Sequence, residues 1–529
     1  LPYSVPRMKH ISLAMIVVIA IGILPAATPA SAFADEPVDV DALLRRLDEA
    51  EQRLQILETG TQRAPTDEAT VGQNDVADPS FGGDAHDAAF TTVGPVFDAD
   101  PASFNAQIDG NNTGVGPGAN SRQGTLPRAS AFAINYDTGF VLRPDNKDSL
   151  PYELQVNGRM QIRHVGFDRD ADFYSNRGDT FRGGPLRINN RNEIEIERAR
   201  LVFSGFVHDP KLEFFLNIDG DTDDNHQAIF HDFWFNYEFS ETFDLYFGKA
   251  FVPGSRAWLD GSTRTHFADR SMATTFFRPD RSIGVWAIGE VTEDLFYRVM
   301  VANGFSASDL RFSQLDTSLA YSGTMWWDAL GDYGKGYADL KWHEDLAVRV
   351  GHSFTYASQQ GIDSLGIPSS EQNFLRISDG TRLITPDALA PGATVVGADI
   401  YLYAVDAAFK YRGWSVNSEL YFRWLNQFKT LGGTIPYSQL YAAGFYADAG
   451  YMILEKSLEV IARASLVDGL FGTRWEYAAG VNWYVNGTHQ NKVTFDITKL
   501  DGSPVSNSGP NYEVGQEGLL TRLQWQIAF

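Results

Sequence analysis

Between Gly518 and Phe529 the chain reads GLLTRLQWQIAF, and its side chains sort by parity. Leu519, Thr521, Leu523, Trp525, Ile527 and Phe529 share one face, while Leu520, Arg522, Gln524 and Gln526 share the other. Period 2 is the signature of a strand, because successive side chains point to opposite faces. A soluble sandwich buries its apolar face against a second sheet. A segment that is greasy on one face and polar on the other, ending on an aromatic residue, also suits a closed sheet in lipid, where no backbone group is left unpaired. What the chain can fold into therefore depends on whether this strand repeats.

Bulk properties favour that reading. The 529 residues are 13% aromatic, yet the only long apolar run is Ile11 to Leu24. Arg7, Lys9 and His10 precede that run, directly after Met8, and Ala32-Phe33-Ala34 follows it, which is the layout of a secretory leader cut after Ala34. No later stretch is long enough for a membrane-spanning helix, so membrane residence requires a barrel. The net charge of −24 argues against nucleic acid as a partner. The absence of cysteine excludes a disulfide scaffold or thiolate metal site.

Residues 1–34 are thus expected to be a leader and 35–58 a short helix. Val40, Leu43, Leu47, Ala50, Leu54 and Leu57 recur at alternating spacings of three and four, the seam of a coiled coil of roughly three heptads. A lone amphipathic helix on a surface is the competing reading. Residues 59–130 lose all periodicity, and between Thr59 and Arg128 nine acids stand against three basic residues, the composition of a disordered acidic linker.

From Tyr152 the opening pattern recurs. Leu154, Val156, Met160 and Ile162 oppose Gln155, Asn157, Arg159, Gln161 and Arg163; Leu212, Phe214, Leu216 and Ile218 oppose Glu213, Asn217 and Asp219. Strands are expected to start near residues 152, 195, 212, 228, 243, 282, 295, 336, 346, 398, 414, 440, 458, 474, 491 and 518. Short turns such as His208-Asp209-Pro210-Lys211 and Arg412-Gly413 alternate with long polar segments, among them 306–335 and 356–397. The expectation is an all-β fold: a transmembrane antiparallel barrel of about 16 strands over 131–529, with 131–150 as a periplasmic hairpin. In Glu193 to Arg200 the polar residues change parity, which predicts a bulge near Glu197-Arg198.

On the polar faces, Arg159, Arg163, Arg198, Arg200, Arg298, Arg349, Arg423, Arg463 and Arg522 point inward, as do eleven acids that include Glu213, Asp339, Glu419 and Glu459. Rings of arginine favour anions, whereas Glu419 with Arg423 and Glu459 with Arg463, four apart, are placed to pair with neighbours and brace the wall. Segment 248–284 differs. Lys249, Arg256, Arg264, Arg270, Arg278 and Arg281 outnumber Asp260, Asp269 and Asp280, and Trp258, Phe267, Phe276 and Phe277 could wedge the segment against the wall. It is either the anion-selecting narrowing of the pore or an exposed loop facing surface sugars. The acids from Asp219 to Asp224 fail the calcium-loop spacing, since Asp224 stands where glycine is required. No catalytic, metal or cofactor motif is found, although a His and a Ser meeting across strands would support a barrel hydrolase.

Several stretches together carry a family resemblance. Glu197-Arg198-Ala199-Arg200-Leu201, Gly248-Lys249 with Pro253 and Ser255, Asp269-Arg270-Ser271, Arg278 to Gly284, Lys410 to Trp414, Ala449-Gly450-Tyr451 and Leu458-Glu459-Val460 resemble the phosphate-selective porin O and P family, in order, between Tyr152 and Phe529. The resemblance implies a sixteen-stranded outer-membrane barrel, a homotrimer, an inward-folded third loop and passive anion uptake through a basic pore. It also implies that Phe529 is the aromatic residue read during barrel insertion. The phosphate-specific members carry lysine clusters, whereas Lys249, Lys341, Lys410, Lys492 and Lys499 are scattered here. The expected function is an outer-membrane porin for small hydrophilic solutes, anions such as phosphate among them, selected by Arg159, Arg163, Arg198, Arg200, Lys249, Arg264, Arg270, Arg278 and Arg281. The alternative is a structural anchor whose N-terminal helix holds peptidoglycan.

Overall fold

The computed structural model describes residues 132–136, 139–144, 151–170, 190–220, 228–240, 242–307, 318–360 and 375–529. The expected leader, heptad helix and acidic linker, and the aspartates at 221–224, lie outside these residues.

Two short strands, β1 (Phe132–Tyr136) and β2 (Phe140–Pro144), pair as a hairpin. The strands β3 (Tyr152–Arg169), β4 (Arg191–Val207), β5 (Leu212–Gly220), β6 (Ile229–Ser240), β7 (Phe243–Phe251) and β8 (Arg281–Thr292) follow. Next come β9 (Leu295–Ala302), β10 (Ala320–Leu330), β11 (Ala347–Gln360), β12 (Thr394–Tyr411) and β13 (Trp414–Leu431). The last are β14 (Gln439–Leu454), β15 (Leu458–Gly469), β16 (Gly472–Tyr484), β17 (Asn491–Asp501) and β18 (Glu517–Ala528). Each of β3 to β18 pairs antiparallel with its neighbour in sequence, and β18 returns to β3, so 16 strands close a barrel.

Closure has the chemistry that the terminal strand anticipated. Leu523 and Trp525 are each 48% exposed on the outside, while Arg522 is 0% and Gln524 1% exposed on the inside. Outward Phe235, Phe247, Val299, Tyr477 and Trp483 continue the apolar belt around the sheet. A closed ladder leaves no edge to pair with another chain.

At the seam, Phe529 exchanges backbone hydrogen bonds with Gly158, at 3.1 and 2.9 Å. Beyond that point β2 takes over the edge of β3, pairing Phe140 with Val156, and the rings of Phe140 and Phe529 meet edge to face at 5.8 Å. A Cβ on Gly158 would lie 2.3 Å from the Phe529 ring. Gly158→Val should therefore displace that ring and lower the temperature at which the barrel loses its compact electrophoretic mobility; overpacking of this kind costs about 1–3 kcal/mol. An unchanged transition would show that the ring has room to swing away.

The predicted bulge is present. Arg198 pairs with Gln161 and Ile196 with Ile162, which leaves Glu197 as the extra residue, so Glu197 and Arg198 both turn inward and are fully buried. One strand was misplaced. The segment expected from residue 336 is not a strand; β10 lies within the stretch read as a loop, and 331–346 forms the connection. Gly331, Gly334 and Gly336 adopt φ of 61°, 69° and 71°, conformations that interrupt an extended chain. Within β10, Trp326 and Trp327 put an aromatic on each face, which erased the alternation. Asp339, expected on that strand, instead sits buried in the connection, accepting from Gly413 N–H at 2.9 Å. Arg412 and Gly413, at φ 45° and 80°, make the two-residue hairpin turn whose twist matches its strands.

Candidate pore constriction

Between β7 and β8 the chain leaves the wall and crosses the lumen through two short helices, α1 (Arg256–Leu259) and α2 (Met272–Phe277). Helices this short leave most of their N–H groups without internal partners. Carboxylates on the far wall supply acceptors. Glu419 of β13 accepts from Arg256 N–H, Ala257 N–H and Ser255 Oγ, each at 3.1 Å. Glu476 of β16 accepts from Met272 N–H at 2.5 Å, and Asp496 of β17 from Ala268 N–H at 3.1 Å. Ser255 and Ser271 cap the two helices through Trp258 N–H and Thr274 N–H.

Apolar contacts finish the docking. Phe277 stacks on Tyr421 at 5.2 Å, Phe276 joins the same buried cluster, and Phe267 packs on Ile461 and Ala478. Trp258 is held between Arg278 and Arg270, whose guanidinium carbons lie 3.9 and 4.7 Å from its ring. Three of the four aromatics that the sequence singled out, Phe267, Phe276 and Phe277, thus wedge the segment against the inner wall, while Trp258 packs within the segment itself.

Seven of the nine expected anion-selecting residues are buried and committed to the protein. Arg163 is 3.4 Å from Glu197 and bonds Asn511, and Arg198 bonds Asp269 at 2.6 Å. Arg200 lies 2.6 Å from Asp219, and Lys249 donates to Phe230 O. Arg270 donates to Ala257 O and Trp258 O, Arg278 pairs with Asp280, and Arg281 with Asp232 at 2.7 Å. Taking a charge out of water is tolerable only with such partners.

The other two, Arg159 and Arg264, are partly exposed. Arg159 is paired in register with Arg200 across β3 and β4, and its Nε and Nη2 make no hydrogen bond. Arg198 and Arg270 also act on it electrostatically, opposed by Asp219. Arg264 lies in a half-buried stretch of the crossing segment with Asp260, Gly261 and Thr263, and its carbonyl accepts from Tyr337 N–H at 3.0 Å. Burial brings Arg264 and Arg270 down to about 10, which leaves both cationic at neutral pH.

The wall pairs differ from the four-residue spacing in sequence. Arg463 chelates Asp448 at 2.7 Å and reaches Glu476, both on adjacent strands. Arg423 meets no carboxylate among the described residues and donates to Phe276 O and Arg376 O, while Glu419 takes the donors of α1. These inter-strand partners were invisible in one strand's sequence.

Asp269 is the hub of the crossing segment. Burial pushes its carboxyl up, and Arg198, Arg270 and Arg163 more than reverse this, holding it well below the usual carboxylate range. A depressed acid contributes stability that is complete above its unfolded value of about 4 and is lost as pH falls below it. Current noise through the protein should therefore be flat from pH 7 to about pH 4 and rise only under stronger acid. A rise already at pH 6 would show that a wall carboxylate such as Glu419 or Glu476, rather than Asp269, sets the acid limit of the segment.

Among the described residues, one His–Ser contact exists. His266 Nε2 lies 3.0 Å from Ser415 Oγ and 3.4 Å from Glu459, with all three residues fully buried. Serine and acid meet the same ring nitrogen, so the imidazole cannot relay a proton from one to the other as a hydrolytic triad does. Among the described residues, no cluster has the spacing of a metal site.

With this geometry in place, comparison with known proteins is informative. Residues 156–326 match the family described as phosphate-selective porin O and P. The matched stretch runs from the seam strand through the crossing segment to β10. Together with the apolar belt of the closed sheet, this match locates the protein in the outer membrane. No match was found among curated proteins.

Among solved structures, an anion-selective porin from Comamonas acidovorans aligns with a TM-score of 0.45 and 11% identity, covering 72% of this chain and 100% of that one. The outer membrane channel DcaP of Acinetobacter baumannii aligns at 0.42 and 10%, covering 72% and 97%. The trimer form of OmpT from Vibrio cholerae aligns at 0.43 and 10%, covering 72% and 99%.

Proposed function

We propose that this outer-membrane channel conducts small hydrophilic anions, phosphate among them, by passive diffusion past the segment 248–284. The supporting observation is Arg159, a partly exposed inward arginine set directly across the strands from Arg200, so that two positive charges meet at one point of the lumen wall. Arg264, partly exposed on the crossing segment, adds a second positive charge. The buried arginines act indirectly, by fixing the segment and contributing to the field. Assembly as a homotrimer, with the N-terminal helix reaching the peptidoglycan, belongs to the same reading. In a planar bilayer under a salt gradient, the purified protein should show a zero-current potential displaced toward the anion. Displacement toward the cation would reject anion preference.

A second reading, a plugged barrel serving as an envelope anchor, is favoured by how much chain enters the lumen. Besides the crossing segment, Tyr333 and Tyr337 reach in to Asn417 and Tyr446, and Gly509 and Pro510 accept from Arg163 and Arg522. Deleting residues 35–128 separates the two. A porin keeps its conductance, whereas an anchor loses its attachment to the cell wall and never conducted.

A further inference from the structure

At the end of the lumen nearest the short turns, the wall formed by β5, β6 and β7 has the opposite character to Arg159. Glu238 and Asp244 are paired directly across two strands on the inner face, and Glu213 is paired with Asn236 one step further up. Like charges directly opposite on a sheet destabilise it. Several other lumen acids have arginine partners, among them Asp219, Asp232, Asp448 and Asp496, and Glu153 nearby meets Arg143 at 3.4 Å. Among the described residues, Glu213, Glu238 and Asp244 have no ion pair.

A second observation points the same way. Asn236 is 3% exposed and its Oδ1 accepts nothing; Asp244 is 5% exposed and its Oδ1 also accepts nothing. Buried acceptors without donors are costly, and here an amide oxygen and a carboxylate oxygen are both short of a donor. The complement is a ligand that carries positive charge and several N–H donors. Metal-holding spacing is not found among these carboxylates. The adjoining wall is aromatic: Tyr246 pairs in register with Asn236, stacks on Trp286 at 5.3 Å, and meets Trp234 edge to face at 5.1 Å. Aromatic surroundings favour an ammonium group over a strongly hydrated metal ion.

We propose that Glu213, Asn236, Glu238 and Asp244 form a binding site for a small organic cation bearing ammonium groups, at the periplasmic end of the lumen. The site goes beyond anion passage and does not depend on it, because it is read by binding rather than by current. Its consequence for transport is a lumen with positive charge at the narrowing and negative charge at its exit. A solute that carries both signs would find a partner at each.

Calorimetric titration of the purified full chain in detergent with putrescine tests the site. The expected result is saturable binding that weakens at least tenfold in Asp244→Asn and in Glu213→Gln. It should persist in Glu344→Gln, which removes an exposed turn acid that faces Arg412. Asp244→Asn also relieves the Glu238 repulsion, so in the absence of ligand its thermal midpoint should rise. The proposal is overturned by absence of saturable heat in the parent protein, by affinity equal to the parent's in the two site variants, by a fall in that midpoint, or by magnesium binding equally well with the same dependence on Asp244.

Discussion

Glu419→Ala should free the constriction: single-channel conductance rises, open-channel noise increases, and added protease cuts between residues 252 and 280. Three donors of the crossing segment converge on this carboxylate, and Tyr421 donates to it at 2.9 Å. Hydrogen bonds to a buried charge contribute about 1.5–3 kcal/mol each, and loss of such an acceptor strands all its donors. A penalty on the order of 3–5 kcal/mol falls on the segment alone, since the closed ladder of the barrel is unaffected. Glu419→Gln keeps an acceptor and should show a smaller version of the same change. If both variants conduct as quietly as the parent, Glu476, Asp496 and the aromatic wedge suffice to hold the segment.

The second large effect is expected at Arg159. Arg159→Glu places a negative charge directly across from Arg200 on the inner face of β3 and β4, and the zero-current potential should cross from the anion toward the cation. A tenfold change in the permeability ratio corresponds to about 1.4 kcal/mol, the scale of one charge interaction in a partly wet pore. Arg281→Gln offers the contrast. Its guanidinium faces Asp232 and Asp280 and is 2% exposed, so its removal should destabilise the protein more than it shifts selectivity. Equal shifts in potential from the two variants would mean that the summed field, rather than accessible arginine, sets the preference.

The two arginines also show where sequence reading stops. Both sit on inward faces of strands or in a basic loop, and nothing in their local sequence distinguishes them. Arg281 is neutralised by Asp232, 49 positions away, and Arg198 by Asp269, 71 positions away. Such pairings are made by a fold that brings distant strands and a crossing segment to one point. Glu419 is a similar case. Its four-residue spacing from Arg423 marked both as wall charges that pair with neighbours, and the structure gives Glu419 instead to the first turn of α1.

Local patterns were legible wherever one face meets lipid. Period 2 fixed which residues point inward on β18, and the parity change at Glu197 located a bulge, because each inward or outward choice is enforced residue by residue by burial. Where that enforcement lapses, as with Trp326 and Trp327 facing both ways on β10, a strand was mistaken for loop.

The sequence alone determined a lipid-facing, closed antiparallel barrel, since period 2, short turns and the demand for satisfied backbone groups leave no other solution for this chain. It also marked the basic, aromatic-rich segment as exceptional. Only the tertiary structure decided that the segment lies inside, that most of its charge is spent holding it there, and that Arg159 and Arg264 are the two of the nine that stay partly exposed. Electrostatic character belongs to pairs in space, and a strand's own sequence records one member of each pair.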